Sequence, residues 1–218
     1  MIYAAIAVVL TWVLWMPLHF YFKRRGRKIV ALIFKVIPTL CAAAFAGYAH
    51  FALKQTDAYP ELIFYGLCIC ALADWMLGVR FEVGGALFFI GHVFYVVAFS
   101  LYRALSWWSL TVFVLALGAL WFFLSHYRDK IPNKLIGLGL CVYCAALAAL
   151  LGFGLPLPFL AFSRRAVFAA LGAALFVASD LTLCHNTARQ KPDTWHFCSL
   201  GVYYMAQFML GFSAFPNL

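Results

Sequence analysis

Apolar runs long enough to cross a hydrocarbon core follow one another along this chain, at 2–22, 29–53, 60–78, 83–101, 106–124, 133–153, 165–186 and 196–215. A helix needs about 20 such residues to span a bilayer, where every backbone polar group must be satisfied within the protein. The expected fold is therefore all-α: an integral membrane protein of eight transmembrane helices, with no polar stretch long enough for a soluble domain. Composition agrees, because 67% of the residues are hydrophobic and only 11% are charged, against about 25% charged in soluble domains. The first run has no basic leader and is too long for a signal core, so it is expected to remain as a helix.

The formal net charge is +9, and the positions of the charges show what it serves. Lys23, Arg24, Arg25, Arg27 and Lys28 crowd one short connection between apolar runs. Basic clusters in such places mark cytoplasmic loops, so the excess is a topology signal and nucleic acid is excluded as a partner. With that connection cytoplasmic, the same side receives eleven Lys and Arg and the other side four, leaving Lys35 inside a helix. Both termini are expected on the non-cytoplasmic side, in a membrane of the bacterial inner-membrane type. Trp107, Trp108 and Trp195, near run ends, suit an interfacial aromatic belt.

Two carboxylates interrupt this apolar pattern. Asp74 lies late in the third run and Asp180 late in the seventh. An ionisable group at such depth costs several kcal/mol unless paired or hydrated, which makes it a functional candidate. At the helical rise, Asp74 sits about 6 Å in from the cytoplasmic end, and Lys35 and Asp180 about 9 Å. His92, Tyr143 and Tyr204 fall about 12–15 Å in, on three other helices. Polar groups from six helices thus share one half of the membrane, and one polar cavity is expected there. Asp74-Trp75-Met76-Leu77 and Asp180-Leu181-Thr182-Leu183 both read D-x-x-L, each near the end of the third helix in a set of four. A parallel 4 + 4 duplication would bring these carboxylates together.

Two neighbouring carboxylates in low dielectric do not ionise together easily, so one is expected to stay protonated while Lys35 holds the other as an anion. One proton donor and one acceptor are what acid-catalysed hydrolysis of an ether-type bond requires. His92 and Tyr95 share a helix face, as do Tyr204 and Gln207, and they are expected to line the wall and orient substrate or water. A structural Lys–Asp pair, or a core histidine bonded to its neighbours, is the competing interpretation of these groups. No metal is expected, because the remaining histidines show no H-x-x-x-H pair and lie at run ends. No G-x-S-x-G elbow is present either. Among seven cysteines, Cys141 and Cys144 form a C-x-x-C in the middle of an apolar run, where small buried thiols are the expected state.

Taken together, these motifs resemble the lysoplasmalogenase family of membrane proteins. The residues carrying the likeness are Lys35 to Pro38; Asp74 with Leu77; Phe81, Gly84 or Gly85, Phe88 or Phe89, His92 and Tyr95; Ser179, Asp180 and Leu183; and Tyr203, Tyr204 and Gln207. Ala73 stands before Asp74 where the family usually has glycine. The resemblance implies eight helices, no cofactor, and a lysophospholipid substrate met within membrane lipid. It further implies hydrolysis of the vinyl ether bond to a fatty aldehyde and a glycerophospho head group, with Asp74 and Asp180 catalytic. Lys35, His92, Tyr95, Tyr143, Tyr204 and Gln207 would support them. A zinc-dependent lipid amidase and a proton-coupled transporter are the alternatives, distinguished by metal content and by ion coupling.

Overall fold

The computed structural model describes residues 2–131 and 133–215. Among these, regular structure is entirely helical. Helix α1 runs through Ile2–Leu10, a π-helical turn at Thr11–Trp15, and Met16–Arg24; α2 is Lys28–Gly47, prolonged by a second π-helical turn, Tyr48–Ala52. There follow α3 (Ala58–Leu77), α4 (Phe81–Tyr102), α5 (Trp107–Ser125), α6 (Lys134–Gly154), α7 (Arg164–Ala188) and α8 (Asp193–Ser213). The first seven are long and apolar enough to cross a membrane. Helix α8 has the length but falls short in hydropathy, because it carries Tyr203, Tyr204 and Gln207, all turned into the bundle and buried.

Local chemistry sets where the helices begin. The side chains of Ser106, Asn133 and Ser163 accept from the backbone amides of Ser109, Ile136 and Ala166, capping α5, α6 and α7. Gly26 takes the left-handed conformation, φ 71°, that turns α1 back into α2.

Bilayers provide little hydrophobic drive between helices, so close packing rests on small residues. A Cβ on Gly66 of α3 would stand 2.5 Å from the Tyr95 ring of α4, and one on Gly91 would stand 2.7 Å from Cys70 Sγ. Helix α8 approaches α2 in the same way at Gly211, 2.7 Å from the Ala42 carbonyl, and it meets α7 at Gly172. In the centre, Phe176 collects the rings of Phe88, His92, Tyr95 and Tyr203 around itself at centroid distances of 4.5–6.3 Å. Helix α5 lies at the edge, with Trp121 and Phe122 facing outward.

The two arginines at the start of α7 have different environments. Arg165 is turned inward and 6% exposed. It pairs with Asp57, donates to Gln55 at 2.8 Å and to the Ala214 carbonyl at 3.3 Å, and lies 4.7 Å above the Tyr59 ring. This clamp joins α7, the α2–α3 connection and the end of α8, at the opposite end of the bundle from Asp74.

Candidate active site

Asp74 and Asp180 line one cavity of about 540 Å³. It opens at the end of the bundle that carries the α1–α2 and α3–α4 turns, where Gly26 and Gly78 border it. Leu32, Leu77, Phe81, Phe88, Leu183 and Leu200 make much of its wall apolar.

Asp74 is almost fully buried and fully engaged. Its Oδ1 faces Lys35 Nζ at 3.3 Å, and its Oδ2 accepts from the hydroxyls of Thr39 and Tyr203, each at 2.7 Å. Lys35 also donates to the Asp74 backbone carbonyl at 3.1 Å. The ammonium therefore crosslinks α2 to α3 through both the side chain and the main chain of one residue. Behind Tyr203 a relay runs along α8 and across to α4: Gln207 Nε2 donates to the Tyr203 hydroxyl at 2.6 Å, and Tyr95 donates to Gln207 Oε1 at 3.2 Å. Tyr204 donates at 2.7 Å to the Lys35 carbonyl, one residue beyond the carbonyl whose helical donor Pro38 removes.

Asp180 is held more lightly. Tyr143 of α6 donates to its Oδ2 at 2.5 Å, and Ser179 reaches its Oδ1 at 3.4 Å while also bonding the Phe176 carbonyl. Among the described residues no cation pairs with it. One carboxylate thus has a counter-charge and two hydroxyl donors, whereas the other has a single strong hydroxyl contact.

The expected wall residues occupy a different place. Lys35 lines the cavity, but His92, Tyr95, Tyr143, Tyr204 and Gln207 do not. Tyr143, Tyr204 and Gln207 stand one layer behind and bond groups that do, and Tyr95 stands behind Gln207. Helical spacing alone does not distinguish a side chain at a cavity from one buttressing it. Among the described residues His92 makes no hydrogen bond through either ring nitrogen, and it is fully buried against Phe176 and Tyr143, with centroids at 4.5 and 5.4 Å. It is a packing residue in this arrangement.

The residues that bond Asp74 directly, Thr39 and Tyr203, were not among the expected site residues. Thr39 was readable as the i+4 neighbour of Lys35 on one helix face. Choosing Tyr203 over Tyr204 required the rotation of α8, which its flanking apolar residues leave open. His19, Lys23, Lys28 and His196 also line the cavity near its opening, in positions that sequence alone assigns to topology. The seven cysteines are free thiols, and among the described residues no three His, Cys, Asp or Glu side chains converge as metal ligands.

Comparison with known proteins places this geometry in a lineage. No solved structure matches the chain. Human lysoplasmalogenase TMEM86B is 28% identical over 186 residues, covering 84% of this chain and 75% of that protein. The model of the YhhN family matches residues 30–214. That span takes in Lys35, Asp74, Asp180 and every residue that holds them, and the chain belongs to the YhhN family.

Proposed function

We propose that this protein is an intramembrane lysoplasmalogenase that hydrolyses the vinyl ether bond of a lysophospholipid. The observation carrying this reading is the pair of unequal carboxylates on the wall of one apolar-sided cavity. The human relative's name supports it.

Asp74, ion-paired with Lys35, is the resident anion and general base. Asp180, without a counter-charge, is the neutral acid that a low-dielectric wall favours. It gives its proton to the vinyl β-carbon; the C=C electrons form the new C–H bond and leave an oxocarbenium ion at the α-carbon. Asp74 takes a proton from water as the water oxygen bonds that carbon, producing a hemiacetal. The hemiacetal hydroxyl returns its proton to Asp180 as the C–O bond to glycerol breaks, and Asp74 protonates the departing oxygen. Aldehyde and glycerophospho head group leave, and both carboxyl groups are restored.

In this reading all eight long helices cross the membrane, and the cavity opens to the cytoplasmic leaflet. The halves α1–α4 and α5–α8 are a parallel duplication. Exchanging the halves converts the α2–α8 contact into α6–α4, and both pairs pack together. Each aspartate is also held from the second helix of its own half, Asp74 by Lys35 and Thr39 and Asp180 by Tyr143.

The test is a panel of lysolipids incubated with purified protein, with released aldehydes and acids identified by mass. Lysoplasmenyl lipids are expected to yield aldehyde, and turnover is expected to persist in chelator. Asp74→Asn and Asp180→Asn should each lower kcat by about 10²–10⁴-fold in folded protein. Release of fatty acid without aldehyde, or metal-dependent turnover, would overturn the reading.

A further inference from the structure

Four residues near the cavity opening carry positive charge or can acquire it: His19, Lys23, Lys28 and His196. Among the cavity-lining residues the only carboxylates are Asp74 and Asp180. Cationic and protonatable groups thus gather near the opening, whereas inside the Lys35 ammonium is paired with Asp74 and Asp180 has no counter-charge among the described residues.

Two helices run from the opening to the inner end of this wall with the same spacing. On α2 the lining residues are Lys28, Ala31, Leu32 and Lys35; on α8 they are His196, Ser199, Leu200 and Tyr203. Both sets follow i, i+3, i+4, i+7, one continuous face over two turns. Each begins at a cationic or protonatable residue and ends at a group bonded to Asp74. Seven residues of helix advance about 10.5 Å.

The rim residues are not equally available. Lys23 is engaged by Asp193 at 2.8 Å, and the His19 ring is buried and bonded to the Ala31 carbonyl at 2.8 Å. Lys28 is exposed and has no ion-pair partner among the described residues, and His196 is half-buried.

We propose that Lys28 and His196 form a seat for the phosphodiester of the lysolipid head group, with substrate orientation and choice set there. The proposal rests on the hydrolase reading for what lies at the inner end. In a lysoplasmalogen, seven bonds separate phosphorus from the vinyl β-carbon. Extended, they span about 8 Å at the advance per bond of a stretched chain. An ionic contact beyond the phosphorus makes up the rest of the two-turn distance. A phosphate on Lys28 and His196 therefore delivers the vinyl ether to the depth of Asp74. A neutral glyceryl ether of the same chain length has the bond to be cut but nothing to hold at the rim.

The test measures binding rather than turnover, so that it stands apart from the hydrolase reading. A saturated 1-alkyl lysophospholipid and the matching 1-alkylglycerol, neither of which has a vinyl ether, are titrated into the full-length protein in uncharged detergent. The lysophospholipid is expected to bind tighter by about tenfold or more, the scale of hydrogen bonds to a charged group. Lys28→Gln combined with His196→Gln should bring the two Kd values together, and Lys28→Arg should preserve the preference. A preference unchanged in the double variant, or an equal loss for both ligands, overturns the seat. A third arm uses glycerophosphate without the alkyl chain. Displacement of the lysolipid by it at equal concentration would make the rim a free-phosphate site and overturn the assignment to a lipid head group. If the Kd ratio collapses as expected while no vinyl ether is cleaved in the lysolipid panel, the seat stands and only the hydrolase reading falls.

Discussion

Lys35 and Asp74 are the residues whose fates are most tightly joined. Their side chains are 14% and 2% exposed, so each charge depends on the other. Removing one partner of a buried pair costs about 3–5 kcal/mol, because it strands the remaining charge, whereas replacing both is often near neutral. Lys35→Met should therefore destabilise the protein by about that amount. Lys35→Met with Asp74→Asn should recover most of the loss, since the neutral amide still accepts from Thr39 and Tyr203. Unfolding of the four members of this double-mutant cycle in detergent measures the coupling. Additive losses would show that the pair contributes nothing beyond its separate contacts. Asp180 has no ion-pair partner among the described residues, and the proposed division into base and acid rests on this asymmetry.

Between elements, the precision of the site depends on how closely α3 and α4 approach. Tyr95 ends the relay that reaches Asp74 through Gln207 and Tyr203, and its ring lies on Gly66 with no room for a methyl group. Gly66→Val must push the ring or part the helices. Overpacking of this kind costs about 1–3 kcal/mol, and turnover should fall with it as the relay is displaced. Among the described residues none comes within 4 Å of where a Cβ on Gly118 of α5 would stand. There Gly118→Ala should leave activity unchanged and raise stability by about 0.5–1 kcal/mol, from helix propensity alone. Thermal melts and turnover of the two variants separate close packing from mere helicity. Equal behaviour would show that the α3–α4 contact has no bearing on the site.

For the whole molecule, the arrangement turns on which face of the membrane the cavity meets. Eleven basic residues lie on the side of the α1–α2 connection and four on the other, and on the proposed orientation this bias would turn the opening toward the cytoplasm. In a cysteine-free background, Arg80→Cys and Arg189→Cys should react with an impermeant maleimide only after cells are permeabilised. Thr56→Cys should react in intact cells. The inverse pattern would reverse the topology and move lipid entry to the outer leaflet. At the far end of the bundle, the buried Arg165 clamp ties three segments together and leaves no charge of its own unpaired, with Asp57 as its counter-ion. The catalytic candidates and this structural cluster thus occupy opposite ends.

By itself the sequence determined the features that composition and period dictate: an all-helical membrane protein, two carboxylates at similar depth, and a lysine able to meet one of them. Hydrocarbon length and the cost of a buried charge are one-dimensional constraints, readable residue by residue. Tertiary structure decided what depends on the rotation of one helix against another. It selected Tyr203 rather than Tyr204 to bond Asp74 and placed Thr39 beside it. It also placed Tyr95, Tyr204 and Gln207 behind the wall in a supporting layer and left His92 among aromatic rings with no hydrogen-bond partner among the described residues. Nor could local sequence show that Lys28 and His196, on helices far apart in the chain, border one cavity. In a bundle whose helices are apolar on most faces, the hydrophobic pattern specifies depth well and azimuth poorly, and only packing against neighbours resolves the second.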